Sequence, residues 1–136
     1  MLLLRIIIID DEPHYLLVTK EIMLIHDREM DIVTSSSPNE ALEWIRENKP
    51  DCVISDYKMP EMNGIEFTRR LRESSQVPVI LYTNQSMEHV VDEAFEAGVS
   101  DYVKKENDGL HFILLLRRIK NVVDKHRLEI QMMKNT

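Results

Sequence analysis

The chain has 136 residues, 43% apolar and 30% charged, which fits one globular domain with a single core. Its net charge of −7, without a dominant basic patch, argues against nucleic acid as a direct partner, and no apolar run approaches the length of a membrane span. One cysteine, Cys52, excludes an internal disulfide and points to a reducing, cytoplasmic setting.

In chain order, residues 3–9 form an apolar run with β-branched residues that stops at acids, the pattern of a strand buried on both faces. Pro13 suits a first helical turn, and residues 14–26 then carry a helical pattern through Leu16, Leu17, Ile22 and Met23. Residues 31–35 read as a second strand. Ser37-Pro38-Asn39-Glu40 predicts a helix start, with Ser37 as cap, Pro38 in the first position and Glu40 completing a capping box. That helix buries Ala41, Leu42 and Ile45 and stops before Pro50. Residues 52–55 are the third strand, 64–74 a helix with Phe67 and Leu71 inward, and 77–82 the fourth strand. Residues 86–97 predict a helix closed by Gly98, Tyr102 and Val103 a short fifth strand, and residues 110–133 a last helix. Cys52 and Trp44 read as structural, and none of the five histidines is assigned a ligand role.

Short apolar strands alternating with helices imply an α/β, doubly wound parallel sheet of five strands with helices on both faces. Ligands of such sheets bind beyond the carboxyl ends of the strands. Asp10 and Asp11 follow the first strand and Asp56 follows the third. If those strands are neighbours, three carboxylates meet, and they repel unless a cation or protons intervene. Oxygen-only ligands suit Mg²⁺ or Mn²⁺. Thr83 and Lys105 end the fourth and fifth strands and offer a hydroxyl and an ammonium to phosphoryl oxygens. Together these groups suit phosphoryl transfer onto a carboxylate, where positioning and charge neutralisation carry the catalysis.

The motifs IIIIDDE, VISDYKMPEMNG, VILYTN and GVSDYVKK stand in this order across residues 3–123. In that combination the chain resembles the response-regulator receiver domains of two-component signalling. The resemblance implies a flavodoxin-like three-layer sandwich with strand order 2-1-3-4-5. It also implies phosphoryl transfer from a histidine kinase or phosphotransfer protein, with the domain assisting rather than acting as an enzyme on other substrates. Asp56 resembles the phosphoacceptor, Asp11 the direct metal ligand, and Asp10 a ligand acting mainly through water. The backbone carbonyl of Lys58 would complete the protein's share of the metal shell. Thr83 resembles the switch hydroxyl and Tyr102 the switch aromatic. Lys105, three residues after that aromatic, resembles the family's lysine, with Lys104 as the alternative. Such a switch would signal through the face of the fourth helix, fifth strand and last helix.

The chain departs from the family pattern at two positions. Glu106 stands where proline usual in the family follows the lysine, which puts the cis peptide bond there in doubt, and Asn84 replaces a small residue after Thr83. Simpler roles stay open: Asp10 or Asp11 as helix caps, Thr83 as a strand-end hydroxyl, Tyr102 as packing. Three rival functions also stand beside this reading. An aspartate-nucleophile phosphatase needs an acid where Lys58 stands, and a flavin phosphate would be repelled by Asp10-Asp11-Glu12. A pseudo-receiver would keep only an interaction or dimerisation role. In the last helix, Phe112, Leu116, Ile119, Val123, His126, Ile130 and Met133 form a heptad stripe. Receivers of this kind usually end near Val123. Residues 1–124 are therefore expected to form the receiver and residues 125–136 a helical extension or linker, able to form a homodimer contact. A stand-alone regulator and the front piece of a longer protein are both compatible with this ending.

Overall fold

The computed structural model describes residues 3–106 and 108–135. The elements run β1 (Leu4–Ile9), α1 (Pro13–His26), β2 (Met30–Ser35), α2 (Pro38–Asn48), β3 (Cys52–Ser55), α3 (Gly64–Arg72), β4 (Val79–Thr83), α4 (Val91–Ala97), β5 (Asp101–Lys104) and α5 (Leu110–Lys134). Among the described residues the strands form one parallel sheet in the order β2-β1-β3-β4-β5. The order reverses between β1 and β3, so the crevice of a doubly wound sheet opens at their carboxyl ends.

Strand alternation divides the core. Ile6, Ile8, Ile54, Ile80 and Tyr82 face Leu16 and Met23 of α1 and Leu115 and Ile119 of α5. Ile7, Ile9, Val53 and Val79 face Ala41 and Ile45 of α2 and Phe67 and Leu71 of α3. A third cluster joins Ile65 and Leu81 to Met87 and Ala94 under α4. β1 and β3 are buried on both faces because helices cover both, which is why they read as unbroken apolar runs.

Several local expectations need correction. The Ser37 hydroxyl accepts from the Glu40 N–H at 3.3 Å, but the Ser37 N–H donates to Ser35 Oγ at 3.2 Å, so the return half of the capping box is not used. α4 begins at Val91, not Ser86, because Met87 turns into the core and the Val90 N–H closes a turn on the Met87 carbonyl at 3.0 Å. β4 starts two residues later than expected and α3 ends two residues earlier. At that end the Arg72 guanidinium, rather than further helix, binds the carbonyls of Ser75, Val77 and Gly98. Gly98 closes α4 with φ of +105°, a conformation that favours glycine. No cis peptide bond occurs among the described residues.

α5 runs unbroken through residues 124 and 125. Phe112, Leu116, Ile119 and Val123 of its stripe are buried, whereas Ile130 and Met133 are exposed. Among the described residues no helix is long and apolar enough to cross a membrane.

Candidate functional site

The sheet register builds the site. Ile9 pairs with Ser55, and one step further the Asp56 N–H donates to the Ile9 carbonyl at 3.0 Å, which sets Asp10 beside Asp56. On the other side Thr83 pairs with Lys104, and the Lys105 N–H donates to the Thr83 carbonyl at 2.9 Å. Residues nearly fifty and a hundred positions apart thus converge because three strands end level.

The Lys105 ammonium donates to Asp10 Oδ2 at 2.7 Å and to Asp56 Oδ2 at 3.2 Å. Each carboxylate spends its other oxygen on the backbone. Asp10 Oδ1 accepts from the Glu12 N–H at 3.0 Å, and Asp56 Oδ1 from the Tyr57 N–H at 2.7 Å. Asp10 is buried and Asp11 exposed, and neither caps α1, whose N-cap Glu12 makes no side-chain cap bond. Lys104, the alternative to Lys105, points to solvent and reaches neither acid.

Burial alone would lower the pKa of the Lys105 ammonium. The hydrogen bond it donates to Asp10, the charges of Asp56 and Asp10, and the hydrogen bond it donates to Asp56 outweigh it and hold the group above its ordinary value. Asp10, Asp11 and Asp56 each offer a carboxylate oxygen, and these three atoms lie within 4.8 Å of one another. Three carboxylates and one ammonium leave a formal charge of −2 in a cluster of oxygen donors. That donor set fits a hard divalent cation. Lys58 lies exposed in the loop two residues beyond Asp56.

The turn behind Asp56 explains the Asn63-Gly64 step. The Gly64 N–H donates to the Tyr57 carbonyl at 2.7 Å, and a Cβ on Gly64 would lie 2.6 Å from the Asp56 carbonyl oxygen. Only glycine lets α3 start so close to Asp56. Asn63 Oδ1 caps that helix, accepting from the N–H groups of Ile65 and Glu66, both at 2.9 Å. Met59 and Met62 anchor the turn in the α2–α3 core.

Thr83 is fully buried, and its Oγ1 accepts from the Gln85 N–H at 3.2 Å. Tyr102, half-buried, donates its hydroxyl to the Gln85 carbonyl at 3.3 Å. One residue's backbone therefore ties the two together. Burial first, then the charges of Glu106 and Glu88, push the Tyr102 hydroxyl pKa up, so it stays a donor.

The model of the response regulator receiver domain matches residues 6–117. The chain belongs to the response regulator receiver domains. This receiver is 34% identical over 121 residues to the transcriptional regulatory protein SrrA of Staphylococcus aureus, covering 86% of this chain and 49% of that protein. It spans about half the length of the curated relatives it matches. Among solved structures it resembles a response regulator receiver domain protein from Clostridium thermocellum, 28% identical with a TM-score of 0.81, covering 93% of this chain and 98% of that one. The response regulator domain of Thermotoga maritima CheB is 26% identical with a TM-score of 0.77, covering 90% and 97%. The receiver has the fold of its family, five parallel strands in the order 2-1-3-4-5 between two helical layers.

Sequence reading passed over three residues that border this site. Tyr15 and Tyr82 lie against the Lys105 ammonium, and His111 is buried with its Nε2 2.8 Å from the Tyr82 hydroxyl. The available signal was Tyr82 itself, an aromatic with a polar end in a buried strand that is aliphatic up to that point.

Proposed function

We propose that this receiver accepts a phosphoryl group on Asp56 from a histidine kinase or phosphotransfer protein. An Asp56 carboxylate oxygen attacks phosphorus, the new P–O bond makes an acyl phosphate, and the bond from phosphorus to the donor breaks. The donor leaves with the bonding electron pair and takes up a proton. A Mg²⁺ or Mn²⁺ ion, when held by Asp10, Asp11, Asp56 and the Lys58 carbonyl, offsets charge on the phosphoryl oxygens. Lys105 supplies a second positive charge, exchanging its hydrogen bond to Asp56 for one to the incoming group. The observation that carries this reading is the Lys105 ammonium bound to both Asp10 and Asp56 at the strand-order reversal.

The Thr83 hydroxyl leaves Gln85 for a phosphoryl oxygen, and Tyr102, tied to the same residue, follows into the vacated space. Phe95, Leu110, Ile113 and Leu114 expose apolar surface on α4 and α5, which supports a partner or dimer contact on the α4–β5–α5 face. Residues 125–136, helical through Lys134 and with Thr136 outside the described residues, act as the extension that carries the signal onward.

Incubation with Mg²⁺ and acetyl phosphate, read by intact mass, tests the reading. One phosphoryl group should add to the parent and none to Asp56→Asn. Labelling retained in Asp56→Asn would sink the assignment. A parent that neither labels nor binds Mg²⁺ would leave an interaction module.

A further inference from the structure

Lys105 is held from two directions. Its Nζ binds Asp10 and Asp56, and it also lies 4.2 Å from the Tyr15 ring centroid and 5.3 Å from that of Tyr82. Both distances fall within the ~6 Å over which an aromatic face attracts a cation, and the site's partial burial strengthens that attraction. Lysine has a flexible stem and many rotamers, so two carboxylates alone leave the ammonium free to follow whichever one moves.

The rings are themselves fixed. Tyr82 is buried in β4 and stacks on His111, with centroids 5.9 Å apart. His111 Nδ1 lies 2.5 Å from the Asp108 carbonyl oxygen, which can only accept, so Nδ1 carries a proton. His111 Nε2 lies 2.8 Å from the Tyr82 hydroxyl, within hydrogen-bond distance. The same hydroxyl lies 3.2 Å from that of Tyr15. The contacts run without a break from Tyr15 through Tyr82 and His111 to the loop before α5. Nothing in the phosphoryl-transfer scheme uses these three side chains.

We propose that Tyr15 and Tyr82 are positioning residues for Lys105, forming an aromatic platform that aims the ammonium between Asp10 and Asp56, with His111 locking the platform in place. The placement belongs to the free protein. Only its kinetic consequence rests on the phosphoacceptor reading. When the phosphoryl group arrives, the ammonium is already in position and the stem's freedom has been lost beforehand.

The ring contact has a spectroscopic signature independent of phosphorylation. In metal-free, lysine-labelled protein, the Lys105 Hε protons should resonate upfield of the other lysines through the Tyr15 ring current, with the signal assigned by its loss in Lys105→Met. Tyr15→Leu should return that signal to the range of the other lysines while the remaining amide spectrum stays folded, and Tyr15→Phe should keep it upfield. Tyr82→Phe, which keeps the ring but cuts the hydroxyl chain, should move it part of the way. With acetyl phosphate, the maximal phosphorylation rate of Tyr15→Leu should fall about tenfold, ~1.4 kcal/mol. Its Mg²⁺ affinity should hold, and Tyr15→Phe should restore the rate. An upfield signal that survives in Tyr15→Leu, or a parent-like rate in that variant, overturns the proposal. If the parent itself is never phosphorylated, the phosphoacceptor reading fails while the NMR comparison still decides the platform.

Discussion

Lys105 is where opposing electrostatic effects meet. Burial favours the neutral amine, while Asp10 and Asp56 favour the ammonium and prevail. A lysine whose folded pKa is raised contributes stability that is complete below its unfolded value of about 10.4. That contribution is lost as pH rises through the higher folded value. In metal-free protein the parent should therefore be more stable than Lys105→Met at neutral pH, because the variant leaves two acids facing each other unpaired. Urea midpoints of the two proteins should stay a constant distance apart up to about pH 10 and converge above it. A gap that widened with alkali would contradict the ion pair. Cys52 shows the opposite case: burial pushes its thiol pKa up, and the weak hydrogen bond to the Val53 carbonyl does not offset it, so the sulfur is inert packing.

At the scale of the element, the β3–α3 turn fixes the position of Asp56. Asn63 and Gly64 are adjacent, yet they act differently. Asn63→Ala removes a cap and should cost about 1 kcal/mol of stability while leaving the phosphorylation rate near that of the parent. Gly64→Ala places a methyl 2.6 Å from the Asp56 carbonyl and 2.7 Å from Leu81 Cδ2. It should cost about 1–3 kcal/mol and also slow phosphorylation, because the strain is relieved by moving the chain that carries Asp56. Denaturant unfolding and acetyl phosphate labelling of the two variants side by side would separate these effects. Equal labelling rates would mean the turn yields elsewhere. Arg72 does comparable work at the far end of α3, where burial lowers its pKa but four hydrogen bonds to carbonyls hold it in place.

For the whole molecule, the open question is the second half of α5. Its first half completes the core through Leu115, Ile119 and Val123, while Leu128, Ile130, Met132 and Met133 are exposed. One contact of the tail with the body is the exposed Arg127–Asp51 pair at 3.1 Å, worth at most about 1 kcal/mol. Removing residues 125–136 should lower the unfolding free energy by at least the part of that amount which this pair contributes. If the exposed apolar stripe is a contact between copies, the same truncation should shift sedimentation equilibrium from dimer to monomer. Identical monomeric behaviour of both proteins would place the dimer contact, if any, elsewhere.

The sequence by itself determined the succession of elements, because period, caps and breakers are local: Pro38 after Ser37, Gly98 after α4 and the apolar runs of β1 and β3 each act within a few residues. It also placed Asp10, Asp11, Asp56, Thr83 and Lys105 at strand ends, since a strand that stops on a polar residue is visible in one dimension. The start of α4 was not legible, because Met87 turns inward to meet Ile65 and Leu81, and that attraction has no trace in the local pattern. Nor was the role of Tyr15, Tyr82 and His111. These residues come from α1, β4 and α5, and they become neighbours only when two helices close over one face of the sheet. Hydrogen-bond direction, cation–ring distance and the balance of charge at Lys105 are properties of packed pairs. Only the tertiary structure decided them, because only there do residues far apart in the chain share the same few ångströms.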